Sequence, residues 1–313
     1  SDFFDKLEKL FQYWIKDIPS AISYFIPDYT KINKGVLFLL LGKGFVKPDK
    51  TFLLQYLQFS IYKNRSYVSQ ICYYLYPKLK EYFKEEMQKQ IEKVILENYK
   101  EEISTFEKKC QTGENDSYIC SLIRTDSVEE FITYVNRTNL SLLTKIKPHV
   151  YETNSFLIDK EPTLIEYAAF FGSIQIIRYL KYNNVPLTSS LWLYAIHSNN
   201  PELIHFLEEN QVKPPFNKYD DVLIESIKCH HNAISDYIKD NLCNQIKVND
   251  QDHFINNFGD SIAESLNFFF LPKEIISIIC KSRKRKIFNF SQLCFFFYTN
   301  NNSFFYNFNW KFC

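Results

Sequence analysis

Residues Thr163–Leu180, TLIEYAAFFGSIQIIRYL, carry a pattern that recurs twice further along the chain. The second copy is Ser190–Leu207, SLWLYAIHSNNPELIHFL, and the third is Asp221–Ile238, DVLIESIKCHHNAISDYI. The three stretches align without a gap, and their starts lie 27 residues (163 to 190) and 31 residues (190 to 221) apart. Self-similarity at such a spacing indicates a stack of similar structural units.

The aligned columns predict a first helix that ends in a tight turn. Residues with side-chain oxygens suit the N-cap of this helix: Thr163, Ser190 and Asp221, with Glu166 completing a capping box with Thr163. Small residues allow neighbouring first helices to pack closely: Ala168, Ala195 and Ser226. Residues that tolerate a left-handed backbone end the helix: Gly172, Asn199 and His230.

A second helix follows each turn. Pro201 stands at its first position in the second copy, where a missing N–H costs nothing. Apolar residues four apart lie on one face of this helix: Ile176 and Leu180, Leu203 and Leu207, Ile234 and Ile238. Paired helices at this spacing are typical of ankyrin repeats, whose period is about 33 residues. A looser copy runs from Ser117 to Val135, and residues 262–279 are either a fourth unit or an irregular cap.

The chain before these units is also predicted to be helical. Apolar residues recur at helical spacing among charged ones, and the stretch from Pro77 to Cys110 predicts one long helix or two shorter ones. The polar segment Gln111–Asp116 marks a boundary. We therefore predict a helical region at 1–112, degenerate ankyrin repeats at 113–280 and a low-complexity Phe/Asn-rich tail at 281–313.

Composition and motifs argue against several classes of protein. The 37 Lys and Arg nearly balance the 36 Asp and Glu, so overall charge favours neither nucleic acid nor an anionic membrane as a partner. No apolar run approaches the roughly 18 residues of a membrane-spanning helix. Nucleophile-elbow, P-loop and dinucleotide-binding motifs are absent, so we expect no enzyme, no cofactor and no small-molecule substrate. Eight Cys without CxxC pairs predict free, buried thiols in a reducing compartment.

The chain resembles a family of uncharacterised ankyrin-like proteins that is expanded in trichomonad parasites. The resemblance covers roughly residues 3–238 and depends on five strings: Phe3–Glu8, Tyr151–Leu157, Pro162–Ile176, Ser190–His197 and Ile227–His231. It implies an α-helical N-terminal region followed by ankyrin repeats, and it implies no catalytic residue. The tail after about residue 281 departs from that family.

Candidate partner-binding residues lie at the end of each first helix, where ankyrin-like folds contact other proteins. They form three pairs: Phe170 and Phe171, His197 and Ser198, Lys228 and Cys229. Two adjacent phenylalanines at such a position indicate either partner binding or packing beneath the insertion Tyr151–Leu157. The loops at residues 159–161, 188–189 and 217–219 are further candidates.

The run Cys229-His230-His231 contains residue types that bind metals. A zinc site needs four ligands, or three and a water molecule, that converge on one point. His230 falls at the predicted turn, Cys229 ends the preceding helix, and no nearby residue has ligand spacing. A structural role is therefore favoured for this cluster and for His197, and no metal is expected.

One dense basic run, Lys281–Lys286, interrupts the balanced charge of the chain. It indicates either a nuclear or nucleic-acid-associated module or a solvated break before the tail. The main prediction is an all-α solenoid of ankyrin-like helix–turn–helix repeats behind an N-terminal helical region. Such a protein would act in the cytoplasm as a non-catalytic interaction scaffold for an unidentified protein partner; the alternative is a nuclear protein that uses residues 281–286.

Overall fold

The computed structural model describes residues 34–44, 47–48, 52–53, 66–158 and 160–243. Every regular element within these ranges is a helix, and a single antiparallel bridge pairs Lys145 with Thr163. The predicted all-α class is thus confirmed for this part of the chain. The predicted unit at 262–279, the basic run Lys281–Lys286 and the tail lie outside the described residues. No helix within the described ranges is both long and apolar enough to cross a bilayer.

The first of two compact units contains the described residues up to Asp116 together with Pro148–Lys160. Its helices are α1 (Lys34–Gly42), α2 (Ser66–Leu79), α3 (Glu85–Tyr99) and α4 (Ile103–Thr112), with a short helical turn at Ser155–Ile158. Lys100 has a left-handed backbone with φ 55° and separates α3 from α4. Of the two arrangements predicted for Pro77–Cys110, the structure therefore has the shorter, broken helices.

The core of the first unit is rich in buried aromatic rings, among them Phe38, Tyr74, Phe106 and Tyr151. The hydroxyl of Tyr74 donates to the carbonyl of Cys110 at 2.5 Å. The buried ammonium of Lys34 donates to the carbonyl of Val150 at 2.6 Å. Residues 148–160, which the sequence analysis assigned to the repeat region, thus complete the core of the N-terminal unit.

The second unit contains Ser117–Lys147 and the described residues from Glu161 onward, and four pairs of helices form it. Pair 1 is α5 (Tyr118–Arg124) and α6 (Val128–Thr138), and pair 2 is α7 (Leu164–Phe171) and α8 (Ile174–Tyr182). Pair 3 is α9 (Leu191–Ser198) and α10 (Pro201–Glu209), and pair 4 is α11 (Asp220–Lys228) and α12 (Asn232–Tyr237). The first helices pack in series, α5 on α7, α7 on α9 and α9 on α11.

Each pair turns at a residue with a left-handed backbone. The φ angle is 50° at Asp126, 73° at Gly172, 51° at Asn199 and 57° at His230. The predictions for Gly172, Asn199 and His230 are confirmed, and Asp126 holds the same position in pair 1. The columns predicted to be small and apolar are buried: Ala168, Ala195 and Ser226, with Ile176, Leu180, Leu203, Leu207, Ile234 and Ile238.

The predicted helix caps are confirmed at some positions and wrong at others. Thr163 forms the expected capping box with Glu166, and Pro201 lies in the first turn of α10. The hydroxyl of Ser190 donates to the carboxylate of Glu166 at 2.6 Å and makes no cap to its own helix. The N-cap predicted at Asp221 is wrong because α11 begins at Asp220, so that Tyr219 occupies the N-cap position two residues earlier. Asp221 lies instead in the first turn, where the positive end of the helix dipole stabilises its carboxylate.

Polar contacts join pair 1 to pair 2. The two carboxylate oxygens of Asp126 accept hydrogen bonds from the backbone N–H groups of Gln175 and Ile176, both at 3.0 Å. The buried hydroxyl of Ser173 donates to the carbonyl of Ile123 at 2.5 Å. The N–H groups at the start of α8 have no partner within their own helix, so the preceding pair satisfies them.

Four cysteines whose side chains the structure describes are free. Cys110, Cys120 and Cys229 are buried, and Cys243 is half-buried. The sequence prediction of free thiols is confirmed for these four residues.

We predict that Gly172→Ala lowers the free energy of unfolding by about 1–2 kcal/mol. The added Cβ would impose a left-handed strain at φ 73° and would lie 3.1 Å from the Cβ of Ser198. Urea denaturation followed by circular dichroism measures the loss. The matched control is Asn199→Gly at the equivalent turn, which should change stability by less than about 0.5 kcal/mol. If Gly172→Ala unfolds with the same free energy as the wild type, the left-handed backbone at this turn does not require glycine.

We also predict that Asp126→Gly lowers the free energy of unfolding by about 1–2 kcal/mol. Glycine adopts the φ of 50° at this turn freely. The loss of stability would therefore come from the two carboxylate oxygens that no longer accept hydrogen bonds at the start of α8. Asp126→Asn keeps one amide oxygen and should lose less. The idea that pair 1 caps pair 2 fails if the glycine variant is as stable as the asparagine variant in the same denaturation experiment.

Candidate functional site

The six residues predicted to bind a partner lie at the ends of α7, α9 and α11, yet their exposure differs. Lys228 is exposed, and Phe171 and Ser198 are half-buried. Phe170 is buried, the side chain of His197 is 4% exposed, and Cys229 is 2% exposed. The expectation of a surface position is wrong for these last three, because the packing of adjacent helix pairs covers them. Partner binding by the six residues stays a prediction.

Side chains from pairs 2, 3 and 4 make a continuous row of contacts at this place. The ring of Phe170 stacks on the imidazole of His197, with centroids 4.9 Å apart and an interplanar angle of 25°. Phe171 lies edge-on to Phe170 at 5.0 Å and against Tyr167 at 4.8 Å. On the far side, His197 contacts Cys229 of pair 4. The row therefore changes from aromatic packing to polar contact as it passes through His197.

His197, Glu225 and Cys229 bring three potential metal ligands together between α9 and α11. Nε2 of His197 lies 2.9 Å from Oε1 of Glu225. Sγ of Cys229 lies 3.4 Å from Nδ1 and 3.9 Å from Nε2 of the same imidazole. One ligand atom from each residue lies within 4.8 Å of the others. In the part of the chain that the structure describes, no other group of three or more His, Cys, Asp or Glu side chains is compact enough to hold a metal ion.

The local sequence explains why these three side chains converge. Glu225 and Cys229 are four residues apart across the last turn of α11, so they share one face of that helix. His197 lies in the last turn of α9, the helix that packs against α11. Both helices end at an equivalent left-handed turn, so the residues just before the turns come side by side.

The sequence analysis missed Glu225 and the pairing of His197 with Cys229. His197 lies one unit before Cys229, and each was assigned a structural role on its own. The alignment of the three copies already indicated that His197 and Cys229 lie in neighbouring columns. His197 is the eighth residue of the unit that begins at 190, and Cys229 is the ninth residue of the unit that begins at 221. Neighbouring columns of stacked helices can meet across the stack.

His231 lies close enough to the cluster to be influenced by it. Burial is the largest cause that lowers the pKa of His231 to about 4, and the charges of His197 and His230 lower it further. His231 is therefore a neutral imidazole at neutral pH. It adds no positive charge that would repel a cation from the cluster.

The cluster is suited to two kinds of chemistry. A thiol, an imidazole and a carboxylate in this order match a nucleophile with its base and an orienting acid. A nucleophile must reach its substrate, and the thiol of Cys229 is almost completely covered. A metal ion needs only converging donor atoms and a path of entry, and Glu225, with its side chain 21% exposed, provides a side that faces solvent. The burial therefore favours ligation over nucleophilic attack.

Comparison with known proteins assigns no family to the chain. No protein-family model, no curated protein and no solved structure matches it. The resemblance to the trichomonad family stays a prediction.

We predict that Phe170→Ala lowers the free energy of unfolding by about 3 kcal/mol, because it removes a buried ring that packs on His197. The matched control is Tyr182→Ala. This aromatic side chain is 87% exposed on α8, and its loss should change stability by less than about 0.5 kcal/mol. Urea denaturation of both variants decides the matter. Equal stability of the two would show that Phe170 does not support the packing between pairs 2 and 3.

Proposed function

We propose that the chain is a non-catalytic protein-binding scaffold whose second unit is a stack of ankyrin-like helix pairs. Four pairs with the same left-handed turn and serially packed first helices support this proposal. The bridge between Lys145 and Thr163 supports it as well, since extended loop segments connect the pairs of such a fold. In a stack of this kind, neighbouring units bury one another's apolar faces and leave the connecting loops available for binding.

One loop residue carries the proposal. Phe216 lies between α10 and α11 and is 88% exposed. Its backbone is left-handed, with φ 54° and ψ 19°, and that of Asn217 is left-handed too, with φ 56°. A bulky residue in this conformation is a genuine outlier, and such strained positions cluster at ligand-binding segments. Burial does not account for a phenyl ring at this position, and insertion into an apolar cleft of another protein would.

The residues around Phe216 favour binding in a second way. Pro214 and Pro215 precede it directly, and each proline fixes its own φ angle. A stiff loop loses little conformational freedom when a partner orders it, so more of the contact energy remains as affinity. Aromatic side chains held in this way are typical anchors of protein interfaces. The loop prediction at residues 217–219 falls within the same segment.

The test compares Phe216→Gly with Tyr182→Gly in affinity capture of full-length protein from cells, followed by mass spectrometry. Glycine relieves the left-handed strain, so Phe216→Gly should be as stable as the wild type or more stable by about 1 kcal/mol. It should nevertheless lose captured partners at least tenfold, which corresponds to about 1.4 kcal/mol. Tyr182→Gly removes an equally exposed aromatic ring from α8 and should retain them.

Two results would contradict the proposal. The first is the same set and amount of captured proteins for wild type and Phe216→Gly. The second is an equal loss for both variants, which would assign binding to general surface hydrophobicity. A melting curve recorded on each sample separates either result from unfolding.

A further inference from the structure

We propose that His197, Glu225 and Cys229 form a zinc site that joins pairs 3 and 4 of the second unit. The three residues offer an imidazole nitrogen, a carboxylate oxygen and a thiolate sulfur, which are the donor types that zinc takes in proteins. Glu225 lies in the last turn of α11, Cys229 directly follows that helix, and His197 lies in the last turn of α9. A bound ion would therefore connect consecutive helix pairs.

The spacing of the donor atoms fits a tetrahedral ion. Zinc bonds of about 2.0–2.3 Å at tetrahedral angles imply a nitrogen–oxygen separation of roughly 3.3 Å and a nitrogen–sulfur separation of roughly 3.5 Å. The observed separations from Nε2 of His197 are 2.9 Å to Glu225 and 3.9 Å to Cys229. Each observed separation lies within about 0.4 Å of the value expected around zinc. Water supplies the fourth ligand of such a three-residue site.

The donor set selects the metal. Magnesium and calcium prefer ligand sets made of oxygen alone, so the thiolate of Cys229 disfavours them. Thiolate and imidazole together favour zinc, which tolerates a carboxylate as a third ligand and does not oxidise the thiol. Binding would require a thiolate sulfur and an imidazole nitrogen with a free lone pair, so it would release protons from the ligands.

The surroundings hold the donors in position. The ring of Phe170 covers one face of the His197 imidazole at 4.9 Å and so fixes its plane. Glu225 and Cys229 are fixed relative to each other by one turn of helix. The partly exposed side of Glu225 gives the ion a path of entry. A site assembled from two helix pairs exists only in the folded chain, so binding would stabilise the fold.

The first test is a titration of the full-length, chelator-treated chain with Zn²⁺. Native mass spectrometry should show one zinc ion per chain. At a free zinc concentration 100 times the Kd, the folding equilibrium constant should rise about 100-fold, which is about 2.7 kcal/mol in a denaturation curve. The absence of a bound ion, or an unchanged denaturation curve, would overturn the proposal without any variant.

The second test assigns the ligands with Co²⁺ in place of zinc. Wild type should develop a thiolate-to-cobalt charge-transfer band, and Cys229→Ser should lose it. Cys120→Ser removes another buried cysteine of the same unit and should keep the band. Glu225→Gln should weaken zinc binding at least about tenfold. His205→Gln is its control, because this exposed imidazole pairs with Glu208 at 3.2 Å, away from the cluster.

The outcomes separate cleanly. A band that persists in Cys229→Ser, or that disappears equally in Cys120→Ser, would assign the metal to other cysteines and overturn the site. Should Cys229→Ser fail to fold, Glu225→Gln decides, since that side chain is partly exposed and its replacement leaves the packing intact. Unchanged zinc affinity in Glu225→Gln would then contradict the proposal.

Discussion

The left-handed turn between the two helices of each pair is the constraint on which the second unit depends. At Gly172, Asn199 and His230 the chain reverses within a few residues, and the second helix packs at once against the first. Because the same turn recurs in every pair, each first helix meets the next at the same level. Residues a fixed distance before the turn are therefore placed above one another along the stack. The turn residue needs only to tolerate a positive φ, which explains why aspartate, glycine, asparagine and histidine can all occupy it.

The row of contacts through His197 follows from this stacking. Phe170 and His197 occupy the same column in successive pairs, and their rings stack. The next residue of that column is Lys228, which is exposed, and the contact passes instead to Cys229 in the neighbouring column. Within this row, the contact between pairs 2 and 3 is thus aromatic, and the contact between pairs 3 and 4 is polar. A buried polar interface requires partners for each group, and Glu225 provides one for the imidazole.

The sequence predicted what depends on local chemistry. The capping box at Thr163, the proline at the start of α10 and the left-handed turns are each decided by a few adjacent residues, and all are confirmed. The N-cap at Asp221 was wrong because two consecutive aspartates both suit a helix start, and nothing local distinguishes the cap from the first turn. Ser190 precedes α9 as predicted, but its hydroxyl donates to the carboxylate of Glu166 in the preceding pair. The hydroxyl therefore does not cap α9.

The candidate site was harder to predict because it depends on the register between units. His197 and Cys229 are 32 residues apart, and only the relative rotation of α9 and α11 decides which columns meet. The exposure of Phe170 depends in the same way on the relative rotation of α7 and α9, and the sequence could not show that this ring packs on the next pair. The assignment of residues 148–160 to the N-terminal core depends on contacts such as that of Lys34 with Val150, across a separation of 116 residues. Such contacts leave no periodic pattern in the sequence.

The two proposals concern the same helix. Phe216 lies just before α11, and Cys229 lies just after it. Since α11 has nine residues, the loop and the cluster are separated by about 13 Å of rigid helix. An ion held by His197, Glu225 and Cys229 would fix the end of α11 against α9 and would thereby restrict the loop at its other end. Restricting a strained loop raises affinity only if the bound and free conformations agree.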